Sequence, residues 1–395
     1  LVIELGSLVA APFASHILAQ LGAEVIKIEP PEGDLTRTMT RGGPGGSFIA
    51  YSRGKKSVCI DLKTVKGRAF FERLLARADV VVHNLAPKAA QRLGISYDAC
   101  RRVKPDIVYC HIQGYGEGPR HHEIASNPAI EASTGVMYSN RVDGRPTRMG
   151  PAYHDQFAGT YAVIGILAGL NAAKDDAEAR CIEFGLYETG LHIAARDLAG
   201  VQTKTQLGVK NPSGGGEFAL PGYGAYETAD QRWIYIIMLA DAHWKKFCEA
   251  LGVPEEDSAR FATMRDRKKQ RSVVEGIVKS AVLVRSYDDV AKRLEAVGVG
   301  FTEVRDLPSV LDEPQAKEPH KVGHFGFGDL EFQMPNFPFQ SQIEHEGVDA
   351  PPPLLGEQTS EVLRSVGYSD AEIEELLADG AVTAPVNPIK WAAAR

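Results

Sequence analysis

Asp155 ends the run Gly150-Pro151-Ala152-Tyr153-His154-Asp155 and directly precedes Gln156-Phe157-Ala158-Gly159 and the apolar stretch Tyr161–Leu170. A helix start presents unpaired backbone N–H groups and the positive end of the dipole, so an ionised carboxylate is favoured there. A plain N-cap aspartate fits that description. A carboxylate sheltered from water has a second use, because it can attack an activated carbonyl and form a covalent intermediate. Its surroundings in the chain favour that use. Upstream lies an opening suited to a large anionic ligand. Downstream, the breaker-rich run 203–217 contains Gly214-Gly215-Gly216 and reads as a mobile loop able to close over a site, or else as an interdomain linker.

Other ionisable residues fall into two groups. Arg37, Arg53, Lys55, Lys56 and Arg92 follow successive expected strands. In an open α/β sheet the ligand binds beyond the carboxyl ends of the strands, where such cations can converge on phosphates. Arg120-His121-His122-Glu123 is a loop cluster; Arg120 and His122 suit the free carboxylate of a dicarboxylic acid. Adjacent loop histidines have the wrong spacing for a shared ion, and no metal site is expected.

The elements that must position these groups are legible from periodicity. Leu1–Leu5 reads as a strand closed by Gly6, and Phe13, Ile17 and Leu21 repeat along one helix face after Pro12. Glu24–Glu29 resumes a strand, completing a βαβ unit. Further strands are expected at Ser57–Asp61, Val80–His83 and Ile107–Gln113, with helices around Gly67–Arg77 and Lys88–Leu93. This alternation predicts a Rossmann-like, mostly parallel open sheet with helices on both faces. The first turn, Gly6-Ser7-Leu8-Val9-Ala10-Ala11-Pro12, lacks the three glycines of a dinucleotide fingerprint. Leu8, Val9 and Ala10 instead suit an apolar, pantetheine-like arm, or simple turn packing.

The organisation expected for the whole chain is a large domain over 1–200, a glycine-rich loop and linker over 201–224, a smaller α+β domain over 225–325, and a return over 326–395. In the small domain a strand at Trp233–Leu239 precedes helices at Ala242–Leu251, Arg271–Ala281 and Tyr287–Val297. The Pro- and Gly-rich 326–356 reads as an extended excursion, followed by a helix over 357–378.

The chain has 395 residues, 44% hydrophobic and 24% charged, with net charge −7. An acidic balance argues against general nucleic-acid binding. No stretch reaches the ~18 consecutive apolar residues of a membrane span, and Ala162–Leu170 reads as a buried helix. The five cysteines are scattered and form no CxxC pair. That pattern points to a reducing, cytoplasmic setting. The chain opens inside an apolar strand without Met, which suggests that a few native residues precede it.

Several stretches together resemble the family III CoA-transferases, the superfamily of formyl-CoA transferase, carnitine CoA-transferase and α-methylacyl-CoA racemase. They are Leu21-Gly22-Ala23-Glu24-Val25-Ile26-Lys27-Ile28-Glu29, Gly33-Asp34 with Arg37, Arg53-Gly54-Lys55-Lys56-Ser57, and Ala78-Asp79-Val80 with Asn84 and Arg92-Leu93-Gly94. Gly114-Tyr115-Gly116-Glu117-Gly118-Pro119, Asp155 with Gly159, and Pro352-Pro353-Leu354-Leu355-Gly356-Glu357-Gln358-Thr359 complete the order. The resemblance implies a large Rossmann-like domain, a small domain, a C-terminal return and an interlocked homodimer, with a hetero-oligomer of paralogous subunits as the alternative. It puts Asp155 at the nucleophilic aspartate and Leu8, Val9, Ala10, Arg37, Asn84, Leu85 and Arg92 at positions that contact CoA. Gly214, Gly215 and Gly216 match the loop that closes over the active site, and Glu217 stands at the place of a glutamine in formyl-CoA transferases. The implied activity moves CoA from an acyl-CoA to a carboxylic acid, with CoA as substrate and no tightly bound cofactor. The racemases carry a His-Asp pair shortly before the glycine matching Gly135; here the sequence is Ser126-Asn127-Pro128, so a 2-methylacyl-CoA racemase is the weaker alternative. His154 is a substitute acid/base or an orienting group. A non-catalytic CoA-binding subunit is the third reading, against which Asp155 and the three glycines argue.

Overall fold

The computed structural model describes residues 1–40, 43–172, 176–208, 220–338 and 350–383. The chain divides into two compact units, one of residues 1–199 with 319–395 and the other of residues 200–318.

The larger unit is built on six described strands: β1 (Val2–Leu5), β2 (Val25–Glu29), β3 (Lys56–Cys59), β4 (Val80–His83), β5 (Val108–Gln113) and β6 (Cys181–Gly185). They pair in the order β3-β2-β1-β4-β5-β6, all in parallel. Strands buried on both faces need apolar residues on both, and β1 and β4 are continuous apolar runs apart from Glu4 and His83. Alternation sends Ile3, Leu5 and Val81 into one core and Val2, Val80 and Val82 into the other. The first core is covered by α2 (Val65–Leu75), through Phe70, Phe71 and Leu74, and by the C-terminal residues Val362, Leu363, Ile373 and Leu376. The second is covered by α1 (Ala10–Gln20) and by α5 (Tyr153–Asn171), which pack tightly on each other. A short helix α3 (Pro87–Leu93) follows β4, and α4 (Asn127–Ser133) and α6 (Leu186–Ile193) pack beside α5; α7 (Ala195–Gln206) comes next in the chain.

Several expectations need correction. The sixth strand, β6, lay in a stretch with no strand assigned. Residues 326–335, expected to open an extended excursion, instead form with 322–325 an antiparallel hairpin, β10 (Val322–Phe327) and β11 (Leu330–Pro335). Phe325 and Phe327 of this hairpin pack with Phe48 and Ile49, which pays for ordering it. The single closing helix is two, α11 (Thr359–Ser365) and α12 (Asp370–Ala378), because Gly367 takes φ +90° between them. The Tyr161–Leu170 region, expected to be buried, leaves Ile164 57% and Leu167 42% exposed within this chain.

The smaller unit contains the antiparallel strands β7 (Gly224–Glu227), β8 (Trp233–Ile237) and β9 (Gly300–Glu303), with β8 central. Helices α8 (Asp241–Leu251), α9 (Arg271–Leu283) and α10 (Tyr287–Val297) enclose its core around Trp244, Phe247 and Phe261. No helix among the described residues is long and apolar enough to cross a membrane.

Candidate active site

The strand order reverses between β1 and β4, whose onward connections leave in opposite directions, so a crevice opens at their carboxyl ends. The turn after β1 is tightly constrained. A Cβ on Gly6 would lie 2.7 Å from the Ala11 Cβ and 2.9 Å from the Pro12 Cδ, so only glycine fits. Leu8 adopts φ 67°, the left-handed region that costs a leucine energy, and its side chain is 45% exposed. Asn84, just past β4, fixes the turn from across the crevice: Ser7 N donates to Asn84 Oδ1 at 3.0 Å and Asn84 Nδ2 donates to Ser7 O at 2.8 Å. Leu85 is held in turn by two buried histidines. Its N–H donates to His83 Nδ1 at 3.4 Å and its carbonyl accepts from His111 Nε2 at 2.8 Å. His83 therefore carries its proton on Nε2, which lies 2.6 Å from Tyr109 Oη. The His83 and His111 rings stack at 4.1 Å, and burial followed by the neighbouring His111 drives His83 well below the usual histidine range, so it stays neutral.

Asp155 stands in the first turn of α5, whose N-cap position is Ala152. One turn further on, Gly159 lets α5 approach α1 closely: a Cβ there would lie 2.8 Å from Ala10 O and 2.9 Å from Phe13 Cδ1. Residues four apart share a helix face, so Asp155 lies one turn, ~5.4 Å, from the contact with the amino end of α1. Gln156 Nε2 donates to Tyr51 Oη at 2.9 Å, and the Tyr51 ring meets Phe13 edge-on at 5.1 Å. Asp155 is half-buried rather than enclosed, and desolvation by its surroundings pushes the carboxyl up to about 6. No hydrogen bond or ion pair from a described residue reaches its carboxylate. A helix start ordinarily lowers a carboxyl, so here desolvation outweighs the dipole.

Comparison with known proteins gives the family. Residues 1–359 match CoA-transferase family III. The chain belongs to that family. It is 30% identical to the succinyl-CoA:glutarate CoA-transferase of Homo sapiens over 96% of this chain and 88% of that protein. It is 27% identical to the succinyl-CoA–D-citramalate CoA-transferase of Chloroflexus aurantiacus over 95% of this chain and 96% of that one. A crystal structure of a CAIB/BAIF family protein from Brucella suis superposes with TM-score 0.81 at 25% identity, covering 92% of this chain and 97% of that one. The protein is an acyl-CoA:carboxylate CoA-transferase.

Of the residues assigned to the site from sequence, the structure of this CoA-transferase gathers Leu8, Val9, Ala10, Asn84 and Leu85 at the mouth of the β1–β4 crevice. Arg92 is exposed in the last turn of α3. Arg37 is placed differently from a phosphate-facing cation: its guanidinium is 1% exposed and doubly bonded to Glu29, at 2.6 Å from Nε and 2.7 Å from Nη2. It also donates to Pro353 O at 3.0 Å and lies 4.2 Å from the Phe48 ring centroid. Lys55 is likewise internal, bonded to Glu4 Oε2 at 2.7 Å and to Pro12 O at 2.9 Å, while Lys27 bridges Glu4 Oε1 at 2.8 Å and Asp34 Oδ2 at 2.7 Å. Lys56 pairs with Glu24 and Glu361 at the surface, and Arg53 donates to Pro335 O at 2.9 Å. The cations grouped from sequence around an anion thus serve mainly to knit β1, β2, β3 and the hairpin together.

His154 turns its ring away from solvent, with Nε2 3.5 Å from Thr134 Oγ1, into room that Gly190 leaves. Burial lowers its pKa and keeps it neutral. Arg120 is exposed and self-contained, bonded to Glu123 at 2.9 and 2.7 Å and stacked on Tyr115, beside an exposed His122. Gly214, Gly215, Gly216 and Glu217 lie outside the described residues. Among the described residues no group of His, Cys, Asp or Glu is arranged to hold a metal ion. Sequence reasoning missed His83, His111 and Glu183, which face one another across β4, β5 and β6, and it missed the buried Glu131 on α4. An ionisable residue within each of three mainly apolar parallel strands was the available signal for the first set; the Asn127–Glu131 spacing was the signal for the second.

Proposed function

We propose that Asp155 is the nucleophile of a CoA transfer in which succinate or a similar dicarboxylate is one of the acids. The observation that carries this is a desolvated, unpaired carboxylate one turn from the switch-point turn. Its carboxylate attacks the thioester carbonyl of the donor acyl-CoA, forming a mixed anhydride and releasing CoA thiolate. The thiolate attacks the aspartyl carbonyl, the first acid departs as carboxylate, and an aspartyl–CoA thioester remains. The acceptor carboxylate then attacks that thioester; CoA thiolate leaves again and attacks the acceptor's carbonyl, restoring free Asp155. No redox change or net proton transfer is needed. The raised pKa marks a carboxylate poorly stabilised by its surroundings and therefore a better nucleophile, still ionised at neutral pH.

The choice of dicarboxylate rests on the names of the two relatives above and on the exposed Arg120–His122 cluster. The CoA site in this reading comprises Leu8, Val9, Ala10, Asn84, Leu85 and Arg92, and the anhydride must be kept from water. Arg37 supports that site from beneath. Asn127 is not an acid/base group and both ends of its amide are engaged, which favours transfer over racemisation. A homodimer is part of the proposal: Tyr153, Phe157, Ile164 and Leu167 form an exposed apolar stripe along α5, and a helix apolar on all sides needs cover. The scattered thiols, of which Cys59, Cys100, Cys110 and Cys248 are buried and free, suit a reducing cytoplasm.

The test is to incubate the protein with succinyl-CoA or glutaryl-CoA, trap with hydroxylamine or borohydride, and map the product by mass spectrometry. A hydroxamate or alcohol at Asp155 supports the reading. Exchange of an α-deuterium from 2-methylacyl-CoA without any adduct favours racemisation, and binding with neither leaves only a CoA-binding subunit.

A further inference from the structure

Helix α5 begins without a cap of its own. Ala152 at its N-cap offers no side-chain acceptor, yet the first-turn N–H groups must find partners. One partner comes from another helix: His154 N–H donates to Asn127 Oδ1 of α4 at 2.9 Å. Asn127 Nδ2 in turn donates to Glu131 Oε1 at 2.6 Å, four residues along the same helix face. Glu131 Oε2 accepts from Met149 N at 3.1 Å, in the segment leading to α5. Glu131 is fully buried and Asn127 is 4% exposed, so water does not compete for these bonds.

The orientation of the Asn127 amide follows. Both Glu131 oxygens act as acceptors, so the NH2 end of Asn127 must face Glu131, and only Oδ1 is left for His154. We infer that Asn127 and Glu131 are positioning residues that cap α5 from outside and so leave the adjacent Asp155 carboxylate free for substrate. An aspartate in the first turn of a helix ordinarily folds back onto that turn's N–H groups, which stabilises the anion and lowers its nucleophilicity. With the His154 N–H already engaged, the gain from folding back is smaller. The inference rests on the reading of Asp155 as nucleophile. The titratable groups on the elements packed around this helix start are His154, held neutral by burial, and Tyr153 on α5 itself, Glu131 on α4, Tyr187, Glu188 and His192 on α6, Tyr51 beside Gln156, and His16 on α1, which burial and then Lys55 push down to about 3.

The decisive variant is Glu131→Gln, which keeps size but offers one oxygen to two donors and lets the Asn127 amide turn over. Single-turnover formation of the aspartyl adduct should slow by roughly 10²-fold, the cost of a small misplacement, while KM for acyl-CoA stays within about twofold. The midpoint of the acylation pH profile should fall from about 6 toward that of an ordinary carboxylate, because Asp155 now accepts backbone N–H bonds. Asn127→Ala should do the same, and the double variant should be no slower than the slower single one. An unchanged midpoint in Glu131→Gln overturns the inference, whatever happens to its thermal stability. If that occurs while Asp155→Ala is inactive, only the capping role fails; an active Asp155→Ala removes the nucleophile itself.

Discussion

The larger unit holds two kinds of sheltered carboxylate, a few residues of strand and helix apart. Beneath the β1–α1 turn, Glu4, Glu29 and Asp34 are surrounded by Lys27, Lys55 and Arg37. Burial alone would raise all three, but Lys27 and Lys55 hold Glu4 low, Arg37 holds Glu29 low, and Lys27 with Thr36 brings Asp34 down to about 2. At the start of α5, Asp155 has burial without any such partner and rises to about 6. The same functional group is held as an ion-paired anion in one place and left without a cation in the other, and its proton affinity moves in opposite directions.

The sharpest way to break this contrast is Asp155→Ala. It should cut turnover by about 10⁴-fold or more, as loss of a nucleophile does, and leave CoA affinity within about twofold by calorimetry. Near-normal turnover would place the chemistry elsewhere. Arg37→Ala should act on the other side, leaving Glu29 buried without its counter-ion at a cost of ~3–5 kcal/mol in chemical unfolding. Intact stability with much weaker CoA binding would return Arg37 to the ligand.

Asp155→Asn sharpens the contrast through pH. A carboxyl raised in the folded state binds its proton more tightly there, so the wild type loses stability as pH rises from ~4 through about 6. The variant should therefore be more stable by roughly 1–3 kcal/mol at pH 8, allowing for partial screening, with no gain below about pH 4. Thermal melts across that range read it directly; a gain at low pH would contradict the sign. The smallest effect is expected for Leu8→Gly, which relieves the left-handed strain while loosening the unfolded chain. Stability should change by less than ~1 kcal/mol, while KM for acyl-CoA rises several-fold. An unchanged KM would make Leu8 turn packing alone.

Much of the architecture was legible before any coordinates, because strands buried on both faces must be written as apolar runs. Val80–His83 appears where the sequence puts it, and α1 begins two residues before Pro12. The sixth strand was hidden because Cys181-Ile182-Glu183-Phe184-Gly185 lies at the sheet edge, half-covered, and alternates weakly. The hairpin at 322–335 was hidden because glycine and proline signal breaks without saying what lies between them. The site was legible unevenly. Asp155 and the turn at Leu8–Ala10 stand out by local context, whereas Arg37 reads as a ligand cation in sequence because nothing local reveals that Glu29, on the preceding strand, is its partner. Glu131 carried only the four-residue spacing to Asn127 as local signal, since its second donor comes from a loop near residue 149.

The order of residues by itself determined the alternating strands and helices, the tight turn at Gly6 and an aspartate at the mouth of an apolar helix. These are short-range properties, set by periodicity and by what a backbone can do at one position. Which carboxylates acquire a cation, and which stay alone, was decided only in three dimensions. Charges interact through space, and burial changes their strength as much as distance does, so the partners of Glu4, Arg37 and Asn127 emerge only once the sheet has brought distant segments together.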